Sequence, residues 1–197
     1  MREGKAKVLS DGEFRHLLRV IGLGKHALRN TAIVYMSFGL GLRVGEISSL
    51  LVGDVMDETG RIRDQFQIRR VNSKTNQNRE VFLSNGKVRR ALRDYLEHRQ
   101  NERVVVSPTS PLFRSQKGGS FTANSLQQML KSQFRRAGLP ESVSSHSGRR
   151  SFATKLITSG IDLVSVSKVM GHANVGQTAA YCATSPDVLR SITARAI

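Results

Sequence analysis

Cysteine is almost missing from this sequence: Cys182 is the sole example in 197 residues. No disulfide can close within the chain, the cysteine pairs of a structural zinc site are lacking, and a reducing cytoplasm suits such a composition. No apolar run approaches the ~18–20 residues of a membrane span. The polar, basic stretch from Met1 to Gly12 has no apolar segment of the kind a signal peptide carries. Acidic residues are also scarce, 15 against 31 lysines and arginines, which leaves a formal net charge of +16. An excess of that size implies a polyanionic partner, nucleic acid above all. The cations are spread along the chain rather than gathered in a tail, which favours a folded basic surface over a disordered arm. Charge alone fits an RNA-coating protein as well as an enzyme acting on DNA.

What is present predicts a folded, soluble chain. Apolar residues make up 39% and charged ones 23%, enough for a core that needs neither disulfides nor metals. The length suits one domain, and no repeat, low-complexity stretch or composition shift marks a boundary. Ser10-Asp11-Gly12-Glu13 reads as a capping box ahead of Phe14, Leu17, Leu18 and Ile21 at helical spacing. A second helix is expected over 27–40, apolar on most sides and central to the core. A short one is expected over 44–51. Ile62, Phe66, Ile68 and Val71 roughly alternate with polar neighbours, and 79–83 is a second strand candidate. The Asn- and Ser-rich 72–78 would join them in a hairpin. Further helices are expected over 86–103, from Thr122 or Asn124 to Ala137, over 147–159, and from Asp162 to Gly171. A last short helix is expected within 185–197. The reading is a mainly helical α+β domain with a small antiparallel sheet.

Chemistry concentrates in a few separated boxes. Cleaving DNA with a protein nucleophile requires a group that attacks phosphorus and cations that hold the non-bridging oxygens. It also requires a base for the nucleophile and an acid for the departing 5′-oxygen. Tyr181 offers a phenol whose phosphate ester conserves the energy of the broken bond. Arg43 and Arg149 can fork onto phosphate oxygens, a geometry lysine cannot match. His146 and His172 can donate hydrogen bonds or carry a proton near neutral pH. Lys74 sits in the expected hairpin turn, and Glu46, three residues after Arg43, can orient an arginine or histidine. Taken singly, each has an ordinary reading: a packed tyrosine, a solvated cation, a capping histidine. Their joint appearance in order carries the weight.

That order resembles the catalytic domain of the tyrosine recombinases, the lambda-type integrase and Xer family. Phe38-Gly39-Leu40-Gly41-Leu42-Arg43-Val44-Gly45-Glu46-Ile47 is similar to the family's first arginine box. Ser73-Lys74-Thr75 with Arg79-Glu80-Val81-Phe82-Leu83 resembles the hairpin bearing its lysine. His146-Ser147-Gly148-Arg149, then Val169-Met170-Gly171-His172 nine residues before Tyr181, resemble the remaining boxes. The similarity covers roughly residues 10 to 185. It implies the DNA breaking-rejoining fold, with Arg43, Arg149 and His172 binding the scissile phosphate. It implies that His146 assists proton transfer from Tyr181, that Lys74 is the general acid, and that Tyr181 forms a 3′-phosphotyrosine resolved through a Holliday junction. No cofactor or metal is implied. The implied partners are double-stranded DNA, further protomers in a tetramer on paired sites, and accessory DNA-bending proteins. The implied location is the cytoplasm, with the nucleoid.

The chain also departs from the family pattern. Arg150 stands where histidine is usual. Gly148 stands where leucine is usual, and the expectation is a lost packing side chain and a looser site. Arg79 is a fallback for Lys74 as the basic group of the hairpin, and a candidate DNA contact. The separate N-terminal core-binding domain of most members has no room before Ser10. Met1 and the well-formed start favour a naturally short protein, like the fimbrial-switch invertases, over an excised fragment. Neighbouring protomers would then supply more of the grip on DNA. On the helix reaching Ala137, Asn124, Gln128, Lys131 and Arg135 form either a groove-reading surface or an ordinary solvated face. Val188, Leu189 and Ile192 carry the spacing for docking the tail on a neighbour, and Cys182 is expected to be a small packed residue. A type IB topoisomerase-like relaxing enzyme and a regulator without turnover are the alternative functions.

Overall fold

The computed structural model describes residues 6–68, 79–101 and 106–181. Nine helices and a two-stranded sheet are found among the described residues. The first helix, α1 (Asp11–Gly22), starts at the expected box: Ser10 accepts from the Glu13 N–H, and Glu13 accepts from the Ser10 N–H at 2.9 Å. That pairing satisfies two of the donors that a helix start leaves open. Helix α2 (Ala27–Leu40) has the expected bounds and runs through the core, with Ala32, Ile33, Val34 and Met36 fully buried. It packs against α5 (Gly86–Asn101) and α7 (Ser147–Thr158).

The helix expected over 44–51 ends early, at Ser48: α3 spans Val44–Ser48, and a separate short helix, α4 (Val52–Val55), starts beyond that range. Between them the backbone turns outward to pair with 110–112: Leu112 N–H donates to the Leu50 carbonyl at 2.8 Å and Val52 N–H to that of Ser110 at 2.9 Å. Tertiary hydrogen bonds displaced a local helical preference too weak to hold two short turns together.

Strands β1 (Gln65–Ile68) and β2 (Arg79–Phe82) pair antiparallel, Phe66 opposite Val81 and Ile68 opposite Arg79. The two-residue period turns Arg79 and Val81 inward and leaves Glu80 and Phe82 outside. The expected connection 72–78, with Val71 and Lys74, lies outside the described residues, as do Cys182 and the 185–197 tail.

Helix α6 (Ala123–Arg136) is capped by Thr122 and buries Leu126, Leu130 and Phe134 beside α1 and α3. Helix α8 (Leu163–Met170) runs from its Asp162 cap to Gly171 in the left-handed region, φ 61°. A five-residue helix, α9 (Val175–Ala179), was not foreseen; it delivers the chain to Tyr181. A small second core of Ala153, Val166 and Met170 joins α7 to α8, and Tyr181 packs against it.

Gly148 does not loosen the structure. A β-carbon there would lie 2.1 Å from Ser37 Oγ and 3.0 Å from both Ser37 Cβ and Phe38 Cδ2. The glycine lets the start of α7 approach α2 closely, and no leucine fits at that distance. The expectation of a lost packing contact is corrected: the side chains of Ser37 and Phe38 already fill the space.

Candidate active site

The residues singled out from separate boxes converge where α2, α7 and α8 end or begin. Helix α2 terminates at Gly41, φ 65°, a conformation that carries little penalty only without a β-carbon. A β-carbon there would also run into Phe152 at 2.5 Å. The turn brings the Gly41 carbonyl to Arg149, in the first turn of α7, whose Nη1 donates to it at 2.7 Å. Arg149 Nη2 donates to the Met170 carbonyl at the end of α8. One guanidinium thus ties three elements together while only 2% exposed. Burial, then the charge of Arg43, lowers its pKa to about 10, so it stays a cation at neutral pH.

Arg43 precedes α3, and Glu46 lies in that helix, 1% exposed. The carboxylate accepts from Arg43 Nη1 at 2.9 Å, from the Arg43 N–H at 2.7 Å and from Arg79 Nη2 at 2.9 Å. Arg79 Nη1 donates to the Val169 carbonyl of α8 at 2.7 Å. Burial lowers the Arg79 pKa, and the Glu46 charge opposes that shift. Arg79 therefore faces the interior, 8% exposed.

His172 follows the Gly171 turn, and its Nδ1 lies 2.7 Å from Thr178 Oγ1 on α9. Its imidazole stacks on Tyr181, centroids 5.6 Å apart and planes 24° from parallel. Desolvation first, then the charges of Arg149, Arg43 and Arg79, push its pKa down to about 4. His172 is thus neutral at pH 7, and Nε2 can donate only if Nδ1 is the acceptor of the Thr178 hydroxyl. Arg43, His146, Arg149, Arg150, His172 and Tyr181 all line one cavity of about 430 Å³. A larger groove, about 800 Å³ and mostly apolar, lies beyond Arg79 among Phe82, Phe152, Ile161 and Val169. Size favours the groove, but the reactive groups gather in the smaller cavity, and the chemistry is placed there.

Sequence reasoning missed two contributors. Thr178 is fully buried on a helix too short to show a period. Arg150 was visible only as a departure; it lines the cavity and donates from Nη1 to the Ala6 carbonyl at 2.7 Å. On α6, Asn124, Gln128, Lys131 and Arg135 are all exposed, as a groove-reading face or a solvated one would be. Lys131 and Arg135 share Glu141, at 3.4 and 2.9 Å, which offsets part of their charge. No described helix is long and apolar enough to cross a membrane.

The comparisons agree with this geometry. The family model described as "Phage integrase family" matches residues 7–187. The tyrosine recombinase XerD of Corynebacterium glutamicum is 32% identical over 165 residues, covering 84% of this chain and 51% of that protein. The crystal structure of XerA recombinase superposes with a TM-score of 0.78 at 26% identity, over 98% of this chain and 65% of that one. XerH site-specific recombinase, in a post-cleavage complex with palindromic difH substrate, gives 0.75 at 25% identity, over 95% and 52%. The chain spans 51% to 60% of the length of the first curated relatives it matches. With its boxes in order, its arginines and histidines around one cavity, and the family model matching residues 7–187, the chain belongs to the phage integrase family of tyrosine recombinases.

Proposed function

We propose that this protein is a site-specific DNA recombinase that cuts and rejoins strands through a 3′-phosphotyrosine on Tyr181. The observation that carries the proposal is the meeting of Tyr181 with Arg43, Arg149, His146 and His172 on one cavity. In the forward step the Tyr181 oxygen bonds to phosphorus and the bond to the 5′-oxygen breaks. His146 assists removal of the phenolic proton, and Lys74 supplies a proton to the leaving oxygen. Arg43, Arg149 and neutral His172 hold the non-bridging oxygens as charge grows on them. The 5′-hydroxyl of a second strand then attacks the phosphotyrosine and releases Tyr181, so bond energy is conserved.

The partners that fit are double-stranded DNA, three further protomers on paired sites, and accessory DNA-bending proteins. All of this would take place in the cytoplasm at the nucleoid. The domain acts as one catalytic unit, with Asn124, Gln128, Lys131 and Arg135 along the duplex. XerH bound to difH substrate, a relative of the same fold, supports the DNA partner.

The test is a nicked suicide duplex carrying a site selected from a random-sequence library for binding. Wild-type protein should yield an adduct that survives denaturation, and Tyr181→Phe should yield none. An adduct that persists in Tyr181→Phe overturns the nucleophile assignment. Relaxation of a supercoiled plasmid lacking the site would instead identify a topoisomerase. Tight binding without an adduct would identify a regulator.

A further inference from the structure

Arg43, Arg149 and Arg150 line the cavity, whereas Arg79 is set behind it. Its guanidinium makes two directed bonds, to Glu46 Oε2 at 2.9 Å and to the Val169 carbonyl at 2.7 Å. The first reaches Arg43, because the same carboxylate holds the Arg43 guanidinium and the Arg43 N–H. The second reaches His172, because Val169 lies in the last turn of α8 shortly before it, where helix carbonyls lack intrahelical donors. Arg149 takes the neighbouring carbonyl, that of Met170. Two cations therefore secure the end of α8, and the turn after it presents the histidine.

The fit around Arg79 is tight. A β-carbon on Gly171 would lie 2.3 Å from Arg79 Cδ and 2.8 Å from its Nε. The glycine thus serves the left-handed turn and the passage of the arginine stem at once. The two bonds leave from different nitrogens of one planar fork, a geometry that the compact ammonium of a lysine does not match.

We infer that Arg79 is a positioning residue for strand cleavage, linking Arg43 through Glu46 and His172 through the α8 carbonyl, rather than a DNA contact or a proton donor. The inference rests on the strand-transfer reading for its kinetic consequence. Its geometric consequence stands independently of turnover.

The test compares wild type with Arg79→Lys, Arg79→Met, Glu46→Gln and the double variant Arg79→Met/Glu46→Gln. On the selected duplex, Arg79→Met should bind DNA about as tightly as wild type while single-turnover cleavage falls about 10- to 100-fold, the usual cost of losing an outer supporting group. Arg79→Lys should recover part of the rate. The double variant should be no slower than the worse single one, since both break the same chain of contacts. NMR supplies a readout that needs no turnover: the His172 imidazole signals should move in Arg79→Lys although the charge is kept.

Wild-type cleavage by Arg79→Met overturns the inference, and so does a loss of DNA affinity that accounts for the whole rate loss. Should Arg79→Met fail to fold, Arg79→Lys decides: a wild-type rate with unmoved His172 signals overturns the inference. If wild type itself forms no adduct, the strand-transfer reading fails, and the His172 signals alone decide the role of Arg79.

Discussion

Replacing Glu46 by alanine removes the carboxylate on which Arg43 and Arg79 converge. Three hydrogen bonds are lost, at 2.7, 2.9 and 2.9 Å, and two guanidiniums of like charge are left facing an empty space. Arg79, 8% exposed, cannot rehydrate in place; the Arg43 side chain, 19% exposed, can in part. Breaking a buried pair by deleting one partner costs about 3–5 kcal/mol, because an uncompensated charge stays behind. The partial access of Arg43 places this case near the lower end, about 3 kcal/mol. For a domain of this length each kcal/mol moves Tm by about 2–4 °C, so the fall should be roughly 6–12 °C. Thermal melting followed by circular dichroism at pH 7 measures it. Glu46→Ala/Arg79→Met should melt higher than Glu46→Ala alone, since the stranded cation is gone. A Tm within about 2 °C of wild type in Glu46→Ala, or a double variant less stable than the single, would refute the reasoning.

Other expectations test neighbouring contacts. Thr178→Val leaves Nδ1 of His172 without its hydroxyl and frees the other tautomer, so cleavage should fall by about 10-fold with DNA affinity unchanged; unchanged single-turnover cleavage would remove Thr178 from the site. Because the folded pKa of His172 lies below its ordinary value, near 4, the unfolded chain binds the extra proton first. Its contribution to stability is therefore complete above about 6.5 and is lost as pH falls toward 4. An NMR titration of His172 should show no inflection between pH 5.5 and 8, and a midpoint near 6.5 would contradict the burial argument. Gly148→Ala should destabilise by about 1–3 kcal/mol in denaturant titrations through overpacking against Ser37, with Ser37→Gly restoring most of it. DNA binding should weaken steeply with salt, as it does when several phosphates are contacted; a flat dependence would detach the +16 charge from DNA binding.

The legible parts of the sequence were those whose signals are local. The Ser10–Glu13 box, the Gly41 and Gly171 stops and the Asp162 cap each write a helix boundary in a few adjacent residues, and each boundary was found. The early stop of the helix expected over 44–51 was illegible because it depends on 110–112, more than fifty residues away. Helix α9 escaped because five residues with a glycine among them carry no usable period. The reactive groups were legible through their order and their likeness to a family, and the structure brings five of them onto one cavity. What no local pattern could reveal was direction. Arg79, in a polar context, reads as a surface cation until the register of β2 turns it inward. Gly148 reads as a deficit until Ser37 is seen to fill its space.

The inward turn of Arg79 bears on the charge that the cavity offers a phosphate. Arg43, Arg79 and Arg149 surround a single carboxylate, Glu46, and His172 is neutral at pH 7. With Arg150, which also lines the cavity, four cations stand against one anion among the described residues, a surplus of three positive charges. A phosphodiester brings one negative charge, and the pentavalent state reached during attack carries close to two. Under the proposed reaction, a positive surplus attracts the doubly charged pentavalent state more strongly than the singly charged ground state, the direction in which differential binding must act. Glu46 sets the size of the surplus: its carboxylate cancels one cation and orients the guanidiniums of Arg43 and Arg79.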